Sequence, residues 1–356
     1  MNSISTGDPG IDEIITGLRI GDNVVWQLDT IDEYRELVTP FVRAAINNKH
    51  RVVYIRFGNH APLLNASDVS IVYELDPSPG FESFSTAVNS LIRDEGHGVF
   101  YVFDCLSDLL STWSNDLMIG NFFKITCPFL FELDTIAYFA LLRYNHSFKT
   151  VARIRDTTQL LIDVYRHKSN LYIHPLKVWN RYSPTMFLPH IKQVDHYEPI
   201  ASSVDSARLF SSVFKMETQN TERKLDIWDR LFLKAESMIG QSSAAPEVIE
   251  ELAEQISRLI ISQDEKILEL VRRYMTLEDI LTIKARMIGT GFIGGKSVGM
   301  LIARAIMDKD TSFHADTCFE PHDSFYIGSD VFYTYIVENG WWNERMLQRS
   351  DEGYFE

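Results

Sequence analysis

The chain has 356 residues, 45% of them apolar and 23% charged, the proportions of an ordinary globular protein with room for two domains. Lys and Arg number 34 against 49 Asp and Glu, a net charge of −15. That balance excludes a general nucleic-acid binder, which needs positive charge to displace counterions from phosphates, but it leaves room for a local basic pocket for a nucleotide.

Ser5-Thr-Gly-Asp-Pro-Gly-Ile-Asp-Glu13 opens a short amphipathic helix between turn residues, and Gly21-Asp22 turns into a buried strand over 23–28. The next segment, 30–48, reads as a helix with Thr30 as N-cap and Glu33 three residues on, a capping box. Strands follow at 51–56, 69–74 and 98–104, with a helix over 81–94 between the last two. A strand at 135–142, a helix at 148–157 and a hairpin of 159–166 with 171–178 complete the N-terminal half. Strands alternating with helices predict an α/β fold with a mostly parallel sheet covered on both faces.

The order of these pieces, and Thr6-Gly-Asp-Pro-Gly-Ile-Asp-Glu13 as an opening, resemble the KaiC-like branch of the RecA-type ATPases over residues 4–182. The resemblance puts Asp104 at the Walker B position, where an acid supports Mg²⁺, and Arg181 where the family places an arginine finger. It puts Asp29-Thr-Ile-Asp-Glu-Tyr-Arg35 where a working member has a Gly-rich loop with Lys and Ser or Thr. This degenerate Walker A position, with Asp29, Thr30 and Asp32, has no glycine and no lysine, and its acids repel phosphate. Phe57-Gly-Asn-His60 stands where the family's water-activating glutamate pair would lie. The expectation is a half that has lost the family's hydrolytic mechanism, with Asp104 a strand-end acid that is solvated or caps the next helix, Arg181 a surface or interface residue and His60 an isolated histidine without a catalytic role.

Residues 190–221 read as a linker with short structured pieces. Helices are predicted over 223–237, 247–262 and 264–274, and a further one is capped by Thr276 with Asp279 at its third position. Glu247, Glu250, Glu251 and Glu254 form an acidic face that reads as solvated.

The stretch Gly289-Thr-Gly-Phe-Ile-Gly-Gly-Lys-Ser297 runs into an apolar-periodic helix marked by Val298, Leu301, Ile302 and Ala305. Glycines before a helix N-terminus let an anion approach exposed N–H groups at the positive end of the helix dipole. A P-loop needs glycine where Thr290 stands, so that motif is incomplete. A turn that lets the helix pack closely on a neighbour is the structural alternative.

Ile293-Gly-Gly-Lys-Ser-Val-Gly-Met-Leu301, with Pro321-His-Asp-Ser-Phe-Tyr-Ile-Gly-Ser-Asp330 as a following strand and helix start, resembles the beginning of the nucleotide-binding domain of pyruvate phosphate dikinase and phosphoenolpyruvate synthase. The resemblance implies an incomplete ATP-grasp-like segment in which Gly294, Gly295 and Lys296 bind nucleotide phosphate. It implies ATP and Mg²⁺ as cofactors of a longer phosphotransferase, a nucleotide and a small molecule as its substrates, and a fragment inactive by itself. A vestige in which the N-terminal half is a pseudo-ATPase module for interaction or homo-oligomerisation is the other expectation. Trp341 and Trp342 read as core packing, or as a stack for adenine.

The expected organisation is a RecA-like domain over 1–195, a helical connector over 196–275 and the dikinase-like segment over 276–356. Cys105, Cys127 and Cys318 have no paired metal spacing and read as free thiols of a reducing compartment. The N-terminus lacks the apolar core of a signal peptide, and no apolar run is long enough for a membrane span. A cytoplasmic protein is expected.

Overall fold

The computed structural model describes residues 4–113, 115–194, 196–218, 227–239, 245–310 and 323–348. Its contacts divide the chain into two units, Met1–Leu110 with Ile119–Lys224, and Ser111–Met118 with Leu225–Glu356.

The first unit is α/β. It holds β1 (Asn23–Leu28), β2 (Val52–Arg56), β3 (Ile71–Glu74), β4 (Phe100–Cys105), β5 (Ile136–Leu142), β6 (Leu160–His167), β7 (Asn170–Val178), β8 (His190–Lys192) and β9 (Tyr197–Pro199). They form one sheet in the order β3-β2-β4-β5-β1-β6-β7-β8-β9. Pairing is parallel from β3 to β6 and antiparallel from β6 to β9.

Strand alternation sends alternate side chains to opposite faces. On one face, Val24, Trp26, Tyr54, Val102 and Tyr138 pack with α1 (Pro9–Ile15) and α2 (Ile31–Asn47), where Phe41 stacks on Tyr138 at 4.0 Å. On the other, Phe103 and Phe139 meet Phe122 and Phe123 of α5 (Leu117–Glu132), and Phe84 of α3 (Phe81–Glu95) reaches Phe122. The short α4 (Leu110–Trp113) precedes α5, and α6 (Phe148–Thr157) lies beside it, Arg153 donating to Asn121 at 2.6 Å.

The opening motif is a packing device. Asp8 caps α1 by accepting from Gly10 N–H at 3.0 Å, and Asp12 accepts from Thr6 N–H at 2.7 Å. Gly7 has φ +84°, and a Cβ there would collide with the Pro40 carbonyl group of α2.

One helix has no counterpart in the sequence reading, and one reading needs correction. The apolar helix α5 gives no amphipathic signal, because its buried surface runs round much of its circumference. The stretch read as a linker holds β8, β9 and α7 (Ser203–Thr218). Its Ser- and Asp-rich start is a cap, Ser202 Oγ accepting from Asp205 N–H at 3.3 Å.

Arg181 is also corrected. It is neither an arginine finger nor a surface residue, because its side chain is 1% exposed and pairs with buried Asp22 at 2.8 Å while donating to Gly17 O at 2.7 Å. Burial pushes the Asp22 carboxyl up and the Arg181 guanidinium down, each partly offset by the other. Arg181→Ala strands Asp22 without its counter-charge, and should lower the unfolding free energy in urea by about 3–5 kcal/mol. A loss below about 1 kcal/mol would contradict the pairing.

The second unit is mainly helical. It contains α8 (Ile227–Ile239), α9 (Pro246–Ile260), α10 (Glu265–Tyr274), α11 (Leu277–Ala285), α12 (Gly295–Lys309), α13 (Ser329–Glu338) and α14 (Trp342–Gln348). Trp228, Phe232, Leu252, Ile256, Ile280, Val298 and Ile302 share its core. The predicted box of Thr276 and Asp279 caps α11. A parallel pair, β10 (Met287–Ile288) and β11 (Tyr326–Ile327), precedes α12 and α13 respectively. Glu254, on the acidic face of α9, is paired with Arg258 and Arg272. No carboxylate, histidine or cysteine cluster among the described residues could hold a metal. Trp342 is buried, whereas Trp341 is half-exposed and meets Tyr335 edge-on. The first sequence-predicted residues of α8, together with Pro321, His322 and Cys318, lie outside the described residues. No helix among the described residues is long and apolar enough to cross a membrane.

Candidate functional site

In an open parallel sheet, ligands bind beyond the C-terminal strand ends, where neighbouring strands send their connections to opposite faces. β1 leads to α2 on one face, and its neighbour β5 leads to α6, which packs beside α5 on the other. Arg143 fills the space between them. Its side chain is 5% exposed. Nε donates to Asp29 Oδ1 at 2.9 Å, Nη1 lies 3.0 Å from Asp163 Oδ1, and Nη2 donates to the carbonyls of Gln27 and Val164 at 3.2 and 2.6 Å. Its guanidinium carbon lies 4.3 Å from the centre of the Tyr165 ring. Burial alone would weaken the charge of Arg143, but Asp163, Tyr165 and Asp29 outweigh it and hold the group more firmly protonated than an ordinary arginine.

The start of α2 is closed as well. Glu33 is 4% exposed, and its Oε2 accepts from the N–H groups of Asp29 at 2.9 Å and Thr30 at 3.2 Å. Burial pushes the Glu33 carboxyl up, against the pull of those two N–H groups. Asp32 pairs with Arg35 on the surface at 2.7 Å. A side-chain anion therefore occupies the amides that lead into α2, and the Arg143 cation pairs with Asp29 beside it.

Asp104 is neither solvated nor a cap of the next helix, because it is fully buried at the end of β4 with its oxygens taken up by β2 and the loop after it. It accepts from the Tyr54 hydroxyl and from the N–H groups of Phe57 and Gly58 at 3.0 and 2.9 Å. His60 Nε2 stands 3.7 Å from Asp104 and 3.8 Å from Asp108. Burial raises the Asp108 carboxyl, His60 lowers it and Asp104 raises it further. Asp104 thus fastens the loop after β2, and His60, which reads in the sequence as isolated, sits between two acids. Arg143 is the residue that sequence reading missed. The capping box pointed to Glu33, but nothing local pointed to Arg143.

Around the turn 289–292 and the start of α12 the glycines fall into two sets. Gly289 and Gly291 have φ +83° and +81°, and a Cβ on either would strike Asp330 or Ser329, while one on Gly328 would strike the Thr290 backbone. These three let the turn 289–292 lie on the start of α13. Buried Asp330 holds the turn by accepting from Thr290 N–H at 2.8 Å, Thr290 Oγ1 at 2.9 Å and Asn115 Nδ2 at 3.0 Å. Ser329 Oγ accepts from Phe292 N–H at 3.1 Å.

Gly294, Gly295 and Gly299 are different. All three are exposed, none has φ in the left-handed region, and a Cβ on any of them would meet nothing within 4 Å. Neither backbone conformation nor packing among the described residues calls for glycine there, although each glycine inside a helix destabilises it by about 0.5–1 kcal/mol relative to alanine. The first bond of α12 runs from Val298 N–H to Gly294 O at 3.1 Å, so the N–H groups of Gly295, Lys296 and Ser297 precede the helix ladder. Lys296 is exposed beside them. Free approach, amide donors and an exposed cation form a donor set that suits phosphate.

No protein-family model matches the chain, and no curated protein matches it.

The two sets of glycines predict opposite responses to alanine. Gly289→Ala, at positive φ and against Asp330, should destabilise the second unit by about 1–3 kcal/mol. Gly299→Ala should be neutral or stabilise it by up to about 1 kcal/mol. Thermal unfolding of the two variants checks this, and equal losses would contradict the division.

Proposed function

We propose that the chain belongs to an ATP-dependent phosphotransferase similar to pyruvate phosphate dikinase and phosphoenolpyruvate synthase, and that its nucleotide phosphates are held by the second unit alone. The observation that carries this reading is the open approach to Gly294, Gly295 and Gly299 beside Lys296. Lys296 and the amides of Gly295 and Ser297 would neutralise phosphate charge, the main assistance that proteins give to phosphoryl transfer. The parallel pair and the helices that follow it, α12 and α13, are in keeping with the opening of an ATP-grasp-like domain. Any Mg²⁺ would need carboxylates other than Asp330, whose oxygens already accept from Thr290 and Asn115.

The first unit is read as a RecA-like pseudo-ATPase. The strand order β3-β2-β4-β5-β1-β6 supports that assignment. Arg143, Glu33 and Asp104 support the loss of nucleotide, since each spends on the protein itself a group that a triphosphate or its metal would use. A role in interaction or assembly is the reading left for this unit, as the module that carries the phosphate-binding one.

Titration calorimetry of the full chain with ATP and Mg²⁺ tests the assignment. Lys296→Met should weaken binding tenfold or more, a loss of about 1.4 kcal/mol or more. Asp32→Ala, at the surface beside the filled position after β1, should leave the affinity unchanged. Unchanged affinity in Lys296→Met would remove the role given to Lys296.

A further inference from the structure

The outer edge of the first unit's sheet is thin. β8 and β9 have three residues each, and β8 joins β7 through the pairs Tyr172↔Ile191 and Ile173↔His190. α7 lies on this edge through the small cluster of Tyr165, Tyr172, Leu209 and Val213. Peripheral elements with so few buried apolar contacts open at a lower free energy than a core does.

Two histidines lie within this edge. His190 of β8 is 2% exposed, and its Nδ1 is buried with no hydrogen-bond partner among the described residues. His174 of β7 adjoins the residue that pairs with His190. Its ring lies 5.3 Å from that of Phe210 on α7, and its Nδ1 is 3.3 Å from the Tyr165 hydroxyl. That hydroxyl donates to Asp163 at 2.5 Å, and Asp163 pairs with Arg143. A proton added to His174 therefore enters a packed layer that already contains the Arg143 charge, whereas His190, registered opposite Ile173, lies on the other face of the sheet, where a proton would enter the buried layer shared with α1.

Burial is the largest influence on both rings and holds each below the ordinary histidine range. At His174, Asp163 and the Phe187 carbonyl pull upward and Arg143 pushes down. At His190, the carbonyls of Leu188 and Ile173 and the Glu13 carboxylate pull upward and His174 pushes down. α7 presents Phe210 to His174. Because both groups titrate lower when folded, the opened edge takes up protons that the closed edge refuses. The stability they permit is complete above the unfolded value of about 6.5 and declines as the pH falls below it.

We propose that His174 and His190 form an acid-sensitive latch, which keeps β8, β9 and α7 on β7 while both rings are neutral and releases this edge on acidification. The central strands β1 and β5 carry no histidine, so the release is local.

Hydrogen exchange of the full chain, corrected for the intrinsic pH dependence of exchange, tests the latch. Between about pH 7.5 and about pH 5.5 the protection of residues 203–218 should fall about tenfold for each histidine that stays neutral when closed, while β1 and β5 hold theirs. The His174→Gln, His190→Gln double variant, neutral throughout, should lose this dependence. Equal pH dependence in the variant, or none in the unaltered protein, overturns the proposal. Should the double variant fail to fold, the histidine ring resonances of the unaltered protein decide. Both midpoints below about 6.5 support the latch, and midpoints at or above that value overturn it.

Discussion

The arrangement of the first unit turns on one buried cation. Arg143 ties the ends of β1, β5 and β6 together through Asp29, Asp163 and the carbonyls of Gln27 and Val164. A charge removed from water at this depth persists only when it is paired and hydrogen-bonded, and this one is both. The same contacts close the crevice that the sheet topology opens. A phosphate entering there would have to displace Asp29 and Asp163 from the guanidinium, and Glu33 from the amides of Asp29 and Thr30. Neither change is favourable, since each leaves a carboxylate without its partner.

The same economy appears at the end of β4. Asp104 spends its oxygens on Tyr54, Phe57 and Gly58, and so fastens the loop that follows β2. In the second unit the balance runs the other way. Asp330, Ser329 and three glycines fix the turn 289–292, and the amides that follow it are left at an open surface. Within nine residues, rigid backbone gives way to accessible backbone. That sequence of properties is what anion recognition by a helix N-terminus requires, because the donors must be held in place and yet be reachable.

Much of the fold was legible in the sequence because its signals are local. Buried runs such as 23–28 and 136–142 form strands, and the boxes of Thr30 with Glu33 and of Thr276 with Asp279 mark helix starts. Helix α5 escaped because an apolar surface without a stripe has no helical period, and α7 escaped because its capping serines and aspartates resemble a loop. The site was less legible. The missing lysine and glycine after β1 were visible, but what replaced them was not, since Arg143 lies 114 residues from Asp29 in the chain. Likewise, the glycine cluster was evident, whereas its division depends on backbone angles and neighbours that only the folded chain supplies.

The most direct test is to locate bound nucleotide along the chain. Photolabelling of the full chain with an azido-ATP in the presence of Mg²⁺, followed by peptide mapping, reports which surface the nucleotide occupies. Labelling confined to peptides of the second unit, with none at 29–35 or around Asp104, is the predicted result. Labelling concentrated at 29–35 would mean that ATP displaces the Arg143 and Glu33 contacts, and would contradict the division of roles between the two units.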